Sequence, residues 1–192
     1  DSNSAVGQAA LDSNTTGNSN TAVGASALGA ITTGSSNIGI GVSAGSAQTT
    51  GNTNIYLDNP GVAGESGTIR IGNGGHTQTF IRGIHNATSS SSLAVLVNAT
   101  GKLGTTTSSI RFKEDVRDMG AASQKLSRLR PVVFRYRAHD GEPASGVDEY
   151  GLIAEEVAEV APELVVNDEE GRPYSVRYHV LPAMLLNEMQ AQ

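Results

Sequence analysis

Cysteine and tryptophan are absent from this 192-residue chain, and aromatic residues make up only 4% of it. Without cysteine there is no disulfide, no thiolate nucleophile and no cysteine-ligated metal. Charge is sparse and of the wrong sign for nucleic acid: 13 Lys and Arg stand against 19 Asp and Glu, net −6, with no dense basic cluster, so no nucleic-acid partner is expected. Long hydrophobic runs are missing as well. The longest, such as Leu93–Val97, fall far short of a bilayer span and no signal-peptide pattern opens the sequence, so no membrane partner is expected. The missing initiator Met is expected of a piece of a longer chain.

The charge that exists is unevenly placed. Residues 1–107 carry four acids (Asp1, Asp12, Asp58, Glu65) and three bases (Arg70, Arg82, Lys102), whereas residues 108–192 hold fifteen acids and ten bases. The second part has the composition of a globular domain. The first is Gly, Ser, Thr, Asn and Ala, a mixture that stays disordered unless a repeat organises it.

A repeat is present. Asn3, Asn20, Asn37 and Asn54 recur at a constant spacing of seventeen residues. In phase with them run Thr15-Thr16-Gly17, Thr32-Thr33-Gly34 and Thr49-Thr50-Gly51, and also Ala5-Val6-Gly7, Ala22-Val23-Gly24 and Gly39-Ile40-Gly41; the last copy becomes Tyr56-Leu57-Asp58. A short apolar strand and a glycine turn at fixed spacing predict a β-solenoid over 1–57, each coil stacked on the one before. A disordered linker has no reason to hold a phase over four copies. Each coil offers only two or three small apolar side chains, too little burial to offset the entropy of ordering seventeen residues, so three chains packed about one axis, a homotrimer, are expected. The segments Asn20-Thr21-Ala22-Val23-Gly24 and Asn37-Ile38-Gly39-Ile40-Gly41 resemble the head repeats of trimeric autotransporter adhesins and similar repeats of phage tail fibres.

From 58 to 107 the pattern predicts a β-rich stem. Thr68–Gly72 and Thr79–Ile84 alternate as strands around an Asn73-Gly74-Gly75 turn, and Leu93–Val97 leads through Asn98–Gly101 into Lys102-Leu103-Gly104 as a second strand–turn–strand unit. His76 and His85 have no second ligand at a helical or hairpin spacing and read as surface histidines; no metal and no cofactor is expected. A glycan-cleaving site needs a pair of carboxylates. Only four acids precede residue 108, so such an activity is not expected in this stretch.

Beyond 107 the pattern is α+β. Met119, Ala122, Leu126 and Leu129 predict an amphipathic helix stopped by Pro131, and Val132, Phe134 and Tyr136 one face of a strand. A loop through Asp140-Gly141-Glu142-Pro143 follows, then a short strand at Gly151-Leu152-Ile153 and a helix over Ala154–Val160 ended by Pro162. Leu164–Val166 and Arg172–Tyr178 form a hairpin around Asp168–Gly171, and a helix with Pro182 near its start closes the chain. His139 with Asp140, and Glu155 with Glu156, read as exposed loop and helix-face charges rather than as a site.

Five segments carry a closer resemblance: Ile110–Val116, Leu129–Phe134, Tyr150–Val157, Pro162–Val166 and Tyr178–Leu181. In that order they resemble the endosialidase-type intramolecular chaperone domain that ends phage tail spikes and fibres and recurs in the animal myelin regulatory factor. The resemblance spans 108–192. It implies a trimerising α+β domain that folds the β-structure before it, here the chain's own N-terminal fibre, and then releases itself by autoproteolysis. It also implies a virion tail fibre or spike, or a bacterial surface fibre, as the setting. In the family the cut falls immediately before a serine, and a lysine five residues on completes a Ser–Lys dyad. Those positions are Ser108 and Lys113, which makes Thr107–Ser108 the scissile bond. Asp commonly follows the family's serine; Ser109 stands there instead, and of the two serines only Ser108 has a lysine five residues on.

A serine hydroxyl needs a neighbouring base, and a lysine amine serves once burial makes its charged form costly. Spacing constrains the geometry. Residues five apart in a strand lie about 16 Å from each other on opposite faces, and in a helix about 140° apart around the axis. The chain must therefore bend near Ser109–Ile110, or the lysine must come from a neighbouring subunit.

Overall fold

Strands of only three residues recur along the first part of the chain, in phase with the asparagines. In the computed structural model, which describes residues 2–138 and 143–191, these are β1 (Ser4–Val6), β2 (Thr21–Val23), β3 (Ile38–Ile40), β4 (Ile55–Leu57) and β5 (Ile69–Ile71), all paired in parallel in that order. Ser4, Thr21, Ile38, Ile55 and Ile69 lie in register, and so do the next two positions of each strand. The result is a parallel β-solenoid of about four turns, as the repeat requires. Asp1, the 140–142 loop and the His139/Asp140 pair fall outside the described residues.

The spacing has a chemical reason. Each asparagine amide bridges its own coil to the next. Asn20 and Asn37 donate through Nδ2 to the carbonyls of Gly34 and Gly51 at 2.8 and 2.9 Å. The Oδ1 atoms of Asn3, Asn20 and Asn37 accept the backbone N–H of the next asparagine at 2.9, 3.0 and 3.0 Å. Asn20, Asn37 and Asn54 are fully buried, so a coil that failed to bring a donor and a carbonyl to these amides would leave them unpaired in a dry interior. The threonine turns stack too, with Thr15 and Thr32 donating their N–H to Thr32 and Thr49 carbonyls.

Side chains of the middle strand position point inward. Ala22 and Tyr56 are buried there, with Leu11, Ala27, Leu28, Ile31 and Ala44 around them. Tyr56 fits because the coil below it is hollowed out: a Cβ on Gly45 would stand 2.5 Å from Leu28 Cδ2 and 2.7 Å from Tyr56 Cδ2. Gln48, also fully buried, donates to the Tyr56 hydroxyl and to the Glu65 carbonyl, both at 2.8 Å, and its Oε1 accepts from Gly51 and Gly64 N–H. Burial pushes the Tyr56 phenol up to about 12. Above Tyr56 the inward row ends in Arg70, held bidentate by Glu65 at 2.8–3.0 Å, a charged lid on an otherwise uncharged column.

The first and third strand positions point outward. Val6, Val23, Ile40, Leu57 and Ile71 form one apolar row up the sheet, most exposed at its ends (Val6 64%, Ile71 69%) and less so between them (Val23 41%, Ile40 45%, Leu57 half-buried).

One expectation fails here. Thr68–Gly72 is not the first strand of a hairpin with Thr79–Ile84; it holds β5, the fifth rung, while 79–84 contain no strand and Phe80, Ile81 and Ile84 are exposed. The last coil is shortened from seventeen residues to fourteen, so Thr68 takes the place of the next asparagine and its N–H reaches Asn54 Oδ1 at 3.0 Å. The Asn73-Gly74-Gly75 turn does form, closed by His76 N–H on the Asn73 carbonyl. The second predicted unit is present as β6 (Leu96–Val97) antiparallel to β7 (Leu103–Gly104).

The chain divides into two units, Asp1–Ser92 and Leu93–Gln192. In the second, β8 (Val132–Phe134) pairs antiparallel with β9 (Glu149–Gly151), two residues earlier than the predicted 151–153 strand. Then come α1 (Ala154–Val160), the hairpin of β10 (Val165–Asn167) and β11 (Pro173–Val176), and α2 (Leu181–Ala191). Val157, Ala161, Leu164, Val176 and Met184 form its core, and Leu126, Leu129, Leu152 and Leu181 pack against it. The predicted amphipathic helix before Pro131 is a 3-10 helix, Gly120–Arg128. The fully buried Ser123 fixes it to α2, donating to Glu188 and accepting from Asn187 Nδ2 at 2.6 Å.

Candidate functional site

Between Ser108 and Lys113 the chain bends. Ser109 is extended, Ile110–Phe112 make one 3-10 turn, and Lys113 is extended again. The turn is closed by Phe112 N–H on the Ser109 carbonyl and Lys113 N–H on the Ile110 carbonyl, both 3.1 Å. Ser109 caps it, its Oγ accepting from Arg111 N–H at 3.4 Å and from Arg111 Nε at 3.1 Å. The Arg111 guanidinium also lies over the Phe112 ring, 5.3 Å from its centre.

Thr107, Ser108 and Lys113 are all exposed, and among the described residues neither Ser108 nor Lys113 has a side-chain hydrogen bond or ion pair. The fold of one chain therefore brings them to either side of a turn without joining them. It does not supply the burial that lets a lysine amine act as a base. The same segment exposes large apolar side chains, with Ile110, Phe112 and Val116 each about two-thirds accessible (67%, 66% and 65%).

A second apolar feature of this unit was not read from the sequence. Leu126, Leu129, Val132, Tyr150, Leu181 and Leu185 line a cleft of about 420 Å³ whose walls are almost free of polar atoms. Beside it Leu185, Leu186 and Met189 of α2 face outward, Met189 at 73% exposure. The apolar periodicity of α2 was the available signal, but periodicity does not reveal that a cleft adjoins it.

Several other titratable groups have structural partners. Glu156 pairs with Arg130, and Glu163 with Lys125, which holds the Glu163 carboxyl below the usual glutamate range. Arg70 does the same for Glu65. His76 accepts the Asn73 N–H on Nδ1 at 3.1 Å and places Nε2 3.8 Å from Asp58. No group of three or more His, Asp or Glu that could hold a metal occurs among the described residues. No described helix is long and apolar enough to cross a membrane.

Residues 108–166 match the family described as chaperone of endosialidase, Peptidase_S74. The match covers less than a third of the chain and supports the resemblance of this part to the endosialidase-type chaperone domain. No curated protein matches the chain.

Proposed function

We propose that residues 108–192 are an intramolecular chaperone that assembles three copies of the chain, folds the β-fibre of residues 1–107, comprising the repeats to 57 and the stem from 58, and then cuts itself off between Thr107 and Ser108. The observation that carries this reading is the boundary of the family match, which begins at Ser108, the residue on which the cut is expected. The exposed apolar rows of the solenoid, the apolar cleft and the outer face of α2 support a trimer, since a monomer gains nothing by keeping so many valines, isoleucines and leucines in water. A fibre of this kind fits a virion tail spike or fibre.

The chemistry follows from where the serine stands. In the assembled trimer a buried, neutral Lys113 amine takes the proton of the Ser108 hydroxyl, and Oγ attacks the Thr107 carbonyl carbon through a five-membered ring that includes Ser108's own nitrogen. The C–N bond breaks as Lys113 returns the proton to that nitrogen, leaving Thr107 esterified to Ser108 Oγ. Water hydrolyses the ester, giving a Thr107 carboxylate and a free Ser108 amine. A solvated Lys113, as in the single chain, cannot start the sequence, so cutting reports completed assembly.

One observation favours a second reading, a domain that clamps the trimer without cutting: Ser108 and Lys113 are not joined in the single chain. Intact-mass analysis of wild type, Ser108→Ala and Lys113→Ala separates the two. The self-cleaving domain yields two fragments in wild type and one species in each variant, whereas one uncut species in all three leaves the clamp.

A further inference from the structure

Among the described residues, every hydrogen bond made by residues 108–118 belongs to the turn between the serine and the lysine. Two come from the backbone. The other two converge on one atom, Ser109 Oγ, and both come from Arg111. Nothing else polar holds this stretch among the described residues, so the bend has a single side-chain fastener.

We infer that Ser109 and Arg111 are positioning residues for self-cleavage: the Ser109 hydroxyl clasps Arg111 and so fixes the bend across which Ser108 and Lys113 must meet. The inference rests on the self-cleaving reading above. It also sorts the two adjacent serines. A hydroxyl oxygen has two acceptor sites, and at Ser109 both face Arg111 donors, the side-chain one cationic. That withdraws the electron pairs a nucleophile must offer. Ser108, with no partner, keeps its own free. The resemblance places Asp at this position in family members. A carboxylate also caps a turn and accepts from an arginine, so Ser109 performs with a hydroxyl what an acid would perform with charge. The guanidinium is steadied from its other side by the Phe112 ring.

The test is the rate of self-cleavage, followed by intact mass, in full-length wild type, Ser109→Ala, Ser109→Asp, Arg111→Ala and the double variant Ser109→Asp/Arg111→Ala, with the thermal midpoint of each as a folding control. Loss of one or two ordinary hydrogen bonds slows Ser109→Ala about three- to ten-fold. Ser109→Asp matches or exceeds wild type, and that gain over Ser109→Ala disappears when Arg111 is Ala, a coupling that a general loss of stability does not produce. In wild type the new N-terminus is Ser108. Wild type cut while Ser109→Ala is cut equally fast overturns the clasp and leaves self-cleavage standing. So does an Asp gain that survives without Arg111, or a product beginning at Ser109. Wild type left uncut overturns the self-cleaving reading, and the clasp with it.

Discussion

Replacing Asn37 by Ala should cost more than the same truncation at Asn3, the first rung of the asparagine ladder. Asn37 is fully buried and its amide has four partners: Oδ1 accepts from Asn54 N–H and Nδ2, both at 3.0 Å, while Nδ2 reaches the Gly51 carbonyl at 2.9 Å and Asn20 Oδ1 at 3.1 Å. Truncation strands two backbone groups in the interior, the Asn54 N–H and the Gly51 carbonyl. Each unmet buried group costs about 1–3 kcal/mol, so the change is about 2–6 kcal/mol, a large share of the about 5–15 kcal/mol that holds a domain folded. Asn3→Ala is the internal control. It strands only the Asn20 N–H, because the Gly17 carbonyl keeps a second donor in Asn14 at 3.0 Å, and its cost is about 1–3 kcal/mol. Urea unfolding followed by circular dichroism, at one fixed chain concentration and in a Ser108→Ala background that keeps the chain whole, measures both. An Asn37→Ala cost within about 0.5 kcal/mol of zero, the range of a surface change, or one no larger than that of Asn3→Ala, refutes the ladder as the element that holds the coils in register.

Three further outcomes are expected. Gly45→Ala should destabilise by about 1–3 kcal/mol, because its Cβ meets Leu28 and Tyr56 at 2.5 and 2.7 Å and φ is +67°; a neutral effect in the same unfolding assay contradicts the packing of Tyr56. Tyr56 should make the solenoid alkali-sensitive. Its neutral form is favoured by burial, so its contribution is complete below the ordinary 10.0 and is lost as pH rises from there through about 12. Glu65 acts oppositely, contributing above the ordinary 4.5 and losing that contribution as pH falls through its lowered value. Unfolding midpoints across pH about 10 to about 12 should therefore fall more steeply in wild type than in Tyr56→Phe. Val23→Asp, which places a charge in the outward apolar row, should give monomers by light scattering and abolish the cut; a trimer of unchanged mass shows that this row faces solvent.

The solenoid was legible because its chemistry is periodic. Asparagines stacked directly on one another repeat at the coil length, so Asn3, Asn20, Asn37 and Asn54 announce the fold in sequence. The same rule hid β5. Once the coil shortens to fourteen residues the asparagine is replaced by Thr68, and Ile69-Arg70-Ile71 alternates as a hairpin strand does; only stacking on β4 tells them apart. The helix α1 was read to the residue, since Pro162 and its apolar spacing bound it on both sides. The Gly120–Arg128 segment was read as amphipathic but not as 3-10; its Ser123 joins a polar cluster with Asn187 and Glu188, 64 and 65 residues away, which local spacing does not carry. At the candidate site, spacing alone required either a bend between Ser108 and Lys113 or a lysine from a neighbouring subunit, and a turn lies between the two residues. Its fastener was not legible, because a serine beside a serine carries no sign of which hydroxyl an arginine will occupy.

The most direct test of a cut gated by assembly is to follow both events in the same samples. Freshly refolded wild type, distributed over a dilution series, should be measured for oligomeric mass by light scattering and for fragments by intact mass and N-terminal sequencing. The account predicts a fragment beginning at Ser108 that accumulates only where trimer is present and in proportion to it. A monomer that cuts itself at the rate of the trimer, or a stable trimer that stays whole, contradicts it.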